Sequence, residues 1–284
     1  MFTQFHRTST VVAIILTGAL AACGGGGETG GGEAAGGGQM ATTQVTNGGT
    51  ISGVVNFAGS APAMGTIDMS AEPTCAAAHT TPPMEESVVA SGGKLQYVFI
   101  YIKEGLTGSY PAPAPTTIDQ RGCVYIPHVV GVMVGETLEI KNSDGLLHNI
   151  HTMPTANREF NRGQPTNMTT PTTFSTPEVM IPVKCDVHGW MHSYIGVVAH
   201  PYFAVSGGDG SFSIANVPPG TYTLEAWHEK YGVQTAQVTV EANGAATVTF
   251  DYNASMAGAV VPMGQAIDLH DHGVKATPTP PADR

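Results

Sequence analysis

The stretch Lys184-Cys185-Asp186-Val187-His188-Gly189-Trp190-Met191 puts a thiol, an imidazole and a thioether on one short loop. It follows the apolar run Val179 to Val183 and precedes Tyr194-Ile195-Gly196-Val197-Val198, so Cys185 closes one strand and Met191 leads into the next. Upstream, Ser143-Asp144-Gly145-Leu146-Leu147-His148-Asn149-Ile150-His151 offers a second imidazole behind another strand-like run. One thiolate, two imidazoles and a soft axial thioether are the ligands of a mononuclear copper electron-transfer site. The reading assigns His148, Cys185, His188 and Met191 to one copper ion; zinc is the chemical runner-up, but Met is a poor zinc ligand. His192 is a competing axial ligand. Strand alternation sends it to the opposite face from Met191, where it is expected to be exposed. His151 falls opposite His148 in the same way, and both are read as neighbours of the ligands.

The rest of the chain reads all-β: apolar and Thr-rich runs recur between Gly, Pro, Asn and Asp clusters, and no long stretch has a helical period. Strands are expected at Thr50–Phe57, Leu95–Lys103, Val129–Val134, Thr137–Asn142, Val179–Val183, Ile195–His200, Phe203–Val205, Ser211–Ala215, Gly220–His228, Gln234–Ala242 and Ala246–Tyr252. Residues 152–178, rich in Thr, Pro and Asn, read as a long loop with room for one irregular strand and with Phe160 and Phe174 turned inward.

Two resemblances interleave. Residues 118–200 resemble the cupredoxin family, most closely its amicyanin and plastocyanin branch, through Tyr125-x-Pro127, Val134-Gly135-Glu136-Thr137-Leu138-Glu139-Ile140-Lys141-Asn142, His148-Asn149-Ile150-His151 and the compact Cys185-x2-His188-x2-Met191 loop. The resemblance implies a Greek-key β-sandwich with copper near one end, Asn149 tying the two ligand loops, His188 as the solvent-facing ligand, and Trp190 and Met191 in an apolar docking patch. The run from Tyr202 to Leu224, with Asp209-Gly210, Phe212 and Pro218-Pro219-Gly220-Thr221-Tyr222, is similar to the carboxypeptidase regulatory-like, or transthyretin-like, family. The Asp-Gly pair suits a tight hairpin. That family's opening strands are matched by Ile51–Phe57 and Gln96–Ile102, so residues 50–117 and 201–253 are expected to form one discontinuous sandwich with the cupredoxin unit inserted. Two tandem domains are the alternative.

Residues 1–22 carry Arg7, an apolar run and small residues, the layout of a secretory signal. Leu20-Ala21-Ala22-Cys23 resembles a bacterial lipobox, which implies lipid on Cys23 and an outer-membrane or cell-surface address, facing the periplasm or the outside. Residues 23–49 are Gly-rich and read as a tether, and 254–284 as a loose tail. In an oxidising compartment Cys75 and Cys123 are expected to pair; a second metal site from Cys75, His79, Cys123 and His128 is the alternative. The net charge of −11 argues against nucleic acid and favours a basic redox partner. The chain has no Gly-rich phosphate loop and no nucleophile elbow, so no enzyme activity is expected. The expected function is electron transfer. Alternatives are copper delivery or storage, and a structural or carbohydrate-binding surface protein. Trp227-His228-Glu229, at a strand end in the other sandwich, is a candidate contact with the copper unit.

Overall fold

The structure is a computed structural model and describes residues 42–258. The signal region, Cys23, most of the Gly-rich tether and the tail from 259, with His270 and His272, lie outside the described residues. Thr42 already bridges Ser109, so ordered contacts begin upstream of position 50.

The fold is all-β. The first strands are β1 (Gly49–Ala58), β2 (Ala90–Ser91), β3 (Lys94–Leu95) and β4 (Phe99–Glu104), with one short helix, α1 (Pro73–Ala77), between β1 and β2. Next come β5 (Thr116–Gln120), β6 (Tyr125–Ile126), β7 (Val129–Met133), β8 (Leu138–Asn142), β9 (His148–Thr152), β10 (Asn161–Gln164), β11 (Met168–Thr172), β12 (Glu178–Lys184) and β13 (His192–Val198). The chain continues with β14 (Phe203–Val205), β15 (Ser211–Val217), β16 (Gly220–His228), β17 (Gly232–Val240) and β18 (Ala245–Asn253).

Pairing divides these strands cleanly. β1 runs parallel to β18 on one side and pairs with β15 and β3 on the other, while β14-β4-β16-β17 form a second sheet. Strands β5 to β13 pair only among themselves, as β10-β9-β12-β13-β7 and β11-β8-β5-β6. Each pair of sheets has its own apolar core. Ile51, Val55, Phe57, Leu224 and Tyr252 are among the residues filling the first. Ile118, Tyr125, Leu138, Ile140 and Ile195 help fill the second. β1 alternates buried and half-buried residues along nearly its whole length, as a strand with one face on a core must.

A third cluster joins the two sandwiches. Phe99 on β4 and Phe203 on β14 lean on β7 and β13, where Gly131 and Gly196 stand opposite each other in register. A Cβ on Gly196 would sit 2.6 Å from the Phe99 ring, and one on Gly131 would sit 2.4 Å from the Phe203 ring. The missing side chains are the groove into which the aromatic rings fit, and Phe99 is completely buried there.

Three expectations are corrected. The run Leu95–Lys103 is two strands, because Tyr97 takes a left-handed φ of 63° and turns the chain from one sheet into the other. Residues 152–178 contain β10 and β11. Phe174 is buried, whereas Phe160 only half enters the core. The polar face of β10 and β11 is satisfied internally: Gln164 donates to Ile140 O and Thr170 Oγ1 and pairs with Gln120, while Pro171 sits on an edge strand. The Asp209-Gly210 turn closes no hairpin. It carries the chain from β14 in one sheet to β15 in the other, with Gly210 at a φ of 73°.

Candidate metal centre

His148 opens β9 and is fully buried. Its Nε2–H donates to Asp144 Oδ2 at 2.8 Å. That carboxylate also accepts the backbone N–H groups of Gly122 and Cys123 at 2.7 and 2.8 Å. Burial alone would raise the Asp144 pKa, but these bonds and His148 hold it below the ordinary carboxylate value. A carboxylate can only accept, so the contact fixes His148 with its Nδ1 lone pair free. This is how ligating histidines are oriented in metal sites. Nδ1 points at His188 Nδ1, 3.0 Å away.

Cys185 follows β12 and is buried, with Sγ 3.8 Å from His188 Nδ1. Ligands about 2.0–2.3 Å from one ion lie about 3–4 Å from each other. The donor atoms of His148, Cys185 and His188 all fall within 4.8 Å of one another, and one thiol with two imidazoles is a soft-to-borderline set. The residues fit a copper ion. Burial would raise the Cys185 pKa, but the His148 ring and the backbone of Asn149, His188 and Val187 lower it, which favours the thiolate that a metal needs. Burial lowers the His188 pKa, with the His148 charge acting the same way. For His148 burial also acts downward, but Cys185 and Asp144 outweigh it and the net shift is upward.

The loop between the ligands is closed by its own backbone. Cys185 N–H donates to Met191 O at 3.1 Å, and Met191 N–H to His188 O at 2.9 Å. Met191 is buried in the same apolar cluster as Cys185. Asn149 spans the two ligand segments: its Oδ1 accepts Asp186 N–H at 2.6 Å and lies 3.2 Å from Cys185 Sγ. His151 lies outside the donor cluster, between Asp186 at 2.9 Å and Glu159 at 2.8 Å. Lys184, Asn161 and His151 overcome the effect of burial and hold the Asp186 carboxyl down to about 2.

Three details differ from the sequence reading, and one expected feature takes on an added role. His188 is buried, 3% exposed, instead of facing solvent. Cys75 and Cys123 form the expected disulfide, and Cys75 Sγ lies 3.7 Å from His188 Nε2, so the bridge also caps the ligand. Trp190 holds this cap in place by donating Nε1–H to Cys123 O at 3.0 Å. The bridge also leaves no thiolate for the alternative site with His79 and His128. His192 is half-buried and donates towards Trp190 O, and its ring stands 5.1 Å from that of His128. Met191 and Trp190 do not form an exposed patch; the exposed apolar residues flanking the ligands are Leu147 and Val187, each 47% exposed. Asp144 was not singled out from the sequence. Its signal was a carboxylate four residues before a ligand His, within reach of the second ring nitrogen.

The carboxypeptidase regulatory-like domain matches residues 196–253. The solved structures to which the chain is similar include the following. One is a Cu-containing nitrite reductase from Thermus scotoductus SA-01, at 21% identity and TM-score 0.28, covering 34% of this chain and 25% of that one. Another is a purple cupredoxin from Nitrosopumilus maritimus, at 20% identity and TM-score 0.26, covering 29% and 98%. The third is a Cu(I) amicyanin variant, at 17% identity and TM-score 0.27, covering 34% and 97%. The chain thus spans about a quarter of the nitrite reductase. A comparison with curated proteins finds no match.

Replacing Asp144 with Asn should free the His148 ring to flip and rotate. Copper affinity is expected to fall by about 10–100-fold, measured by competition with a chelator of known affinity. An unchanged affinity would show that Asp144 does not orient the ligand.

Proposed function

We propose that this chain is a mononuclear copper protein that passes single electrons between redox partners outside the cytoplasm and catalyses no reaction of its own. The observation that carries this reading is the convergence of His148 Nδ1, His188 Nδ1 and Cys185 Sγ in a buried pocket whose loop is locked by backbone hydrogen bonds. When bound, copper supplies the one-electron couple between Cu(II) and Cu(I). The chain's part is to hold three ligands with Met191 beside them, to exclude water, and to move little when the charge changes. Leu147 and Val187 offer apolar contact next to the ligands, and the acidic chain, at −11, favours a basic partner.

The cupredoxin-like strands β5 to β13 are read as a unit inserted between β4 and β14 of the transthyretin-like sandwich, as the strand pairing supports. The lipobox at Leu20–Cys23 supports a lipid anchor; recovery of a Cys23→Ser chain in the membrane fraction, unchanged from wild type, would refute it. The electron-transfer reading is tested by spectrum and voltammetry. The Cu(II) protein should show an intense thiolate-to-copper band in the visible and a reversible one-electron wave at neutral pH. Copper bound without either would refute it.

A further inference from the structure

We propose that His128, His192 and Glu229 form a second metal site, for a divalent first-row transition ion such as Zn(II) or Cu(II), that clamps the two sandwiches together. Their donor atoms lie within 4.8 Å of one another, apart from the Cys185 cluster. His128 precedes β7 and His192 opens β13, both in the cupredoxin-like unit, whereas Glu229 follows β16 in the other sandwich. A metal here would bridge the interface that Phe99 and Phe203 already hold.

The chemistry points to a cation. His128 is buried and Glu229 is nearly so, with His128 Nε2 2.6 Å from Glu229 Oε1. Glu86 stands 4.0 Å from His128 Nδ1. Among the described residues neither carboxylate is within ion-pair distance of a Lys or Arg, and their other side-chain partners are tyrosines: Tyr194 for Glu229 at 3.3 Å and Tyr97 for Glu86 at 2.9 Å. The Glu229 carboxylate, nearly buried and without a Lys or Arg partner, is costly unless a cation joins it, and the half-exposed Glu86 adds negative charge beside it. The ring of His192 is set as ligating rings are, its Nδ1–H held by Trp190 O at 3.0 Å, which leaves Nε2 with a free lone pair. Two imidazoles and a carboxylate suit Zn(II), Cu(II) or Fe(II). A cavity of about 400 Å³, bordered by His128, His192, Glu86 and Tyr97, gives an ion a way in and room for water as a further ligand.

The test uses the full chain, loaded with a single equivalent of copper so that the triad stays free, and then titrated with Zn(II) by calorimetry, with metal content and Tm measured alongside. Uptake of one Zn(II) per chain and a rise in Tm are expected. Glu229→Gln, which keeps the size of the side chain, should weaken Zn(II) binding by at least about tenfold and remove the rise in Tm while leaving the visible copper band intact. His128→Gln should weaken Zn(II) binding similarly. A Cys185→Ser chain should still take up Zn(II) at this triad. Absence of Zn(II) uptake by the copper-loaded chain, or uptake of equal affinity in Glu229→Gln and His128→Gln, would overturn the proposal. Neither result depends on the visible band, so failure of the electron-transfer reading is separately recognisable.

Discussion

The Cys185→Ser chain is expected to fold, to lose the visible copper band completely and to bind Cu(I) far more weakly. The fold should survive because the new hydroxyl can keep two of the thiol's hydrogen bonds. It can accept the His188 N–H, now 3.4 Å from Sγ, and donate to Asn149 Oδ1, now 3.2 Å away. No buried polar group is left without a partner, so the cost is expected to be about 1 kcal/mol. The loss of function has a different origin. A serine hydroxyl is not deprotonated near neutral pH and is a hard donor, whereas the thiolate both selects soft copper and supplies the charge-transfer transition. His148 and His188 alone leave a weak two-nitrogen site. The measurement is an absorption spectrum with copper content and a melting curve on the same sample. A retained visible band would mean that the sulfur ligand is another residue; a collapsed Tm would mean that Cys185 is chiefly a packing residue.

The ligand loop was readable from sequence because its donors lie within one turn and belong to uncommon residue types, and strands such as β1 were readable because one face meets a core. What lay hidden depends on contacts between distant segments. β10 and β11 are polar, and only their pairing with β9 and β8 makes them strands. The cap over His188 joins residues 113 apart in sequence, and no local pattern announces it. The Glu229 contact with His128 spans 101 residues, although the Trp227-His228-Glu229 triplet marked its place. Asp144 was within reach of local reasoning: a ligating imidazole needs a partner for its second nitrogen, and the same loop contained a carboxylate. The alternation that separated Met191 from His192 is matched by their surroundings, since His192 clusters with His128 and Glu229 while Met191 is buried with Cys185. Alternation sets the side of a strand but not its exposure, because that depends on what packs there, and the second sandwich packs on this face.

Removal of the cap, by Cys75→Ala together with Cys123→Ala, is expected to destabilise the chain by about 2–5 kcal/mol and to speed electron exchange with small reagents. The disulfide closes a loop with a sequence separation of 48, long enough for its loss to free considerable entropy in the unfolded chain. It also fixes the segment carrying α1 against the end of the sandwich formed by β5 to β13, through a buried sulfur 3.7 Å from His188 Nε2. None of His148, Cys185, His188 and Met191 is changed, and Asp144 still accepts from Gly122 and Cys123 through backbone groups that alanine keeps. The visible band should therefore stay where it is while the His188 edge opens to solvent. A faster exchange rate with a small cobalt complex, at an unchanged band position, would identify the disulfide as an insulating cover on the ligand through which electrons would otherwise leave. An unchanged rate would place the exit elsewhere, at the exposed rim next to Leu147 and Val187. A shifted band would mean that the bridge shapes the ligand geometry itself, and its role would then be to hold the site instead of shielding it.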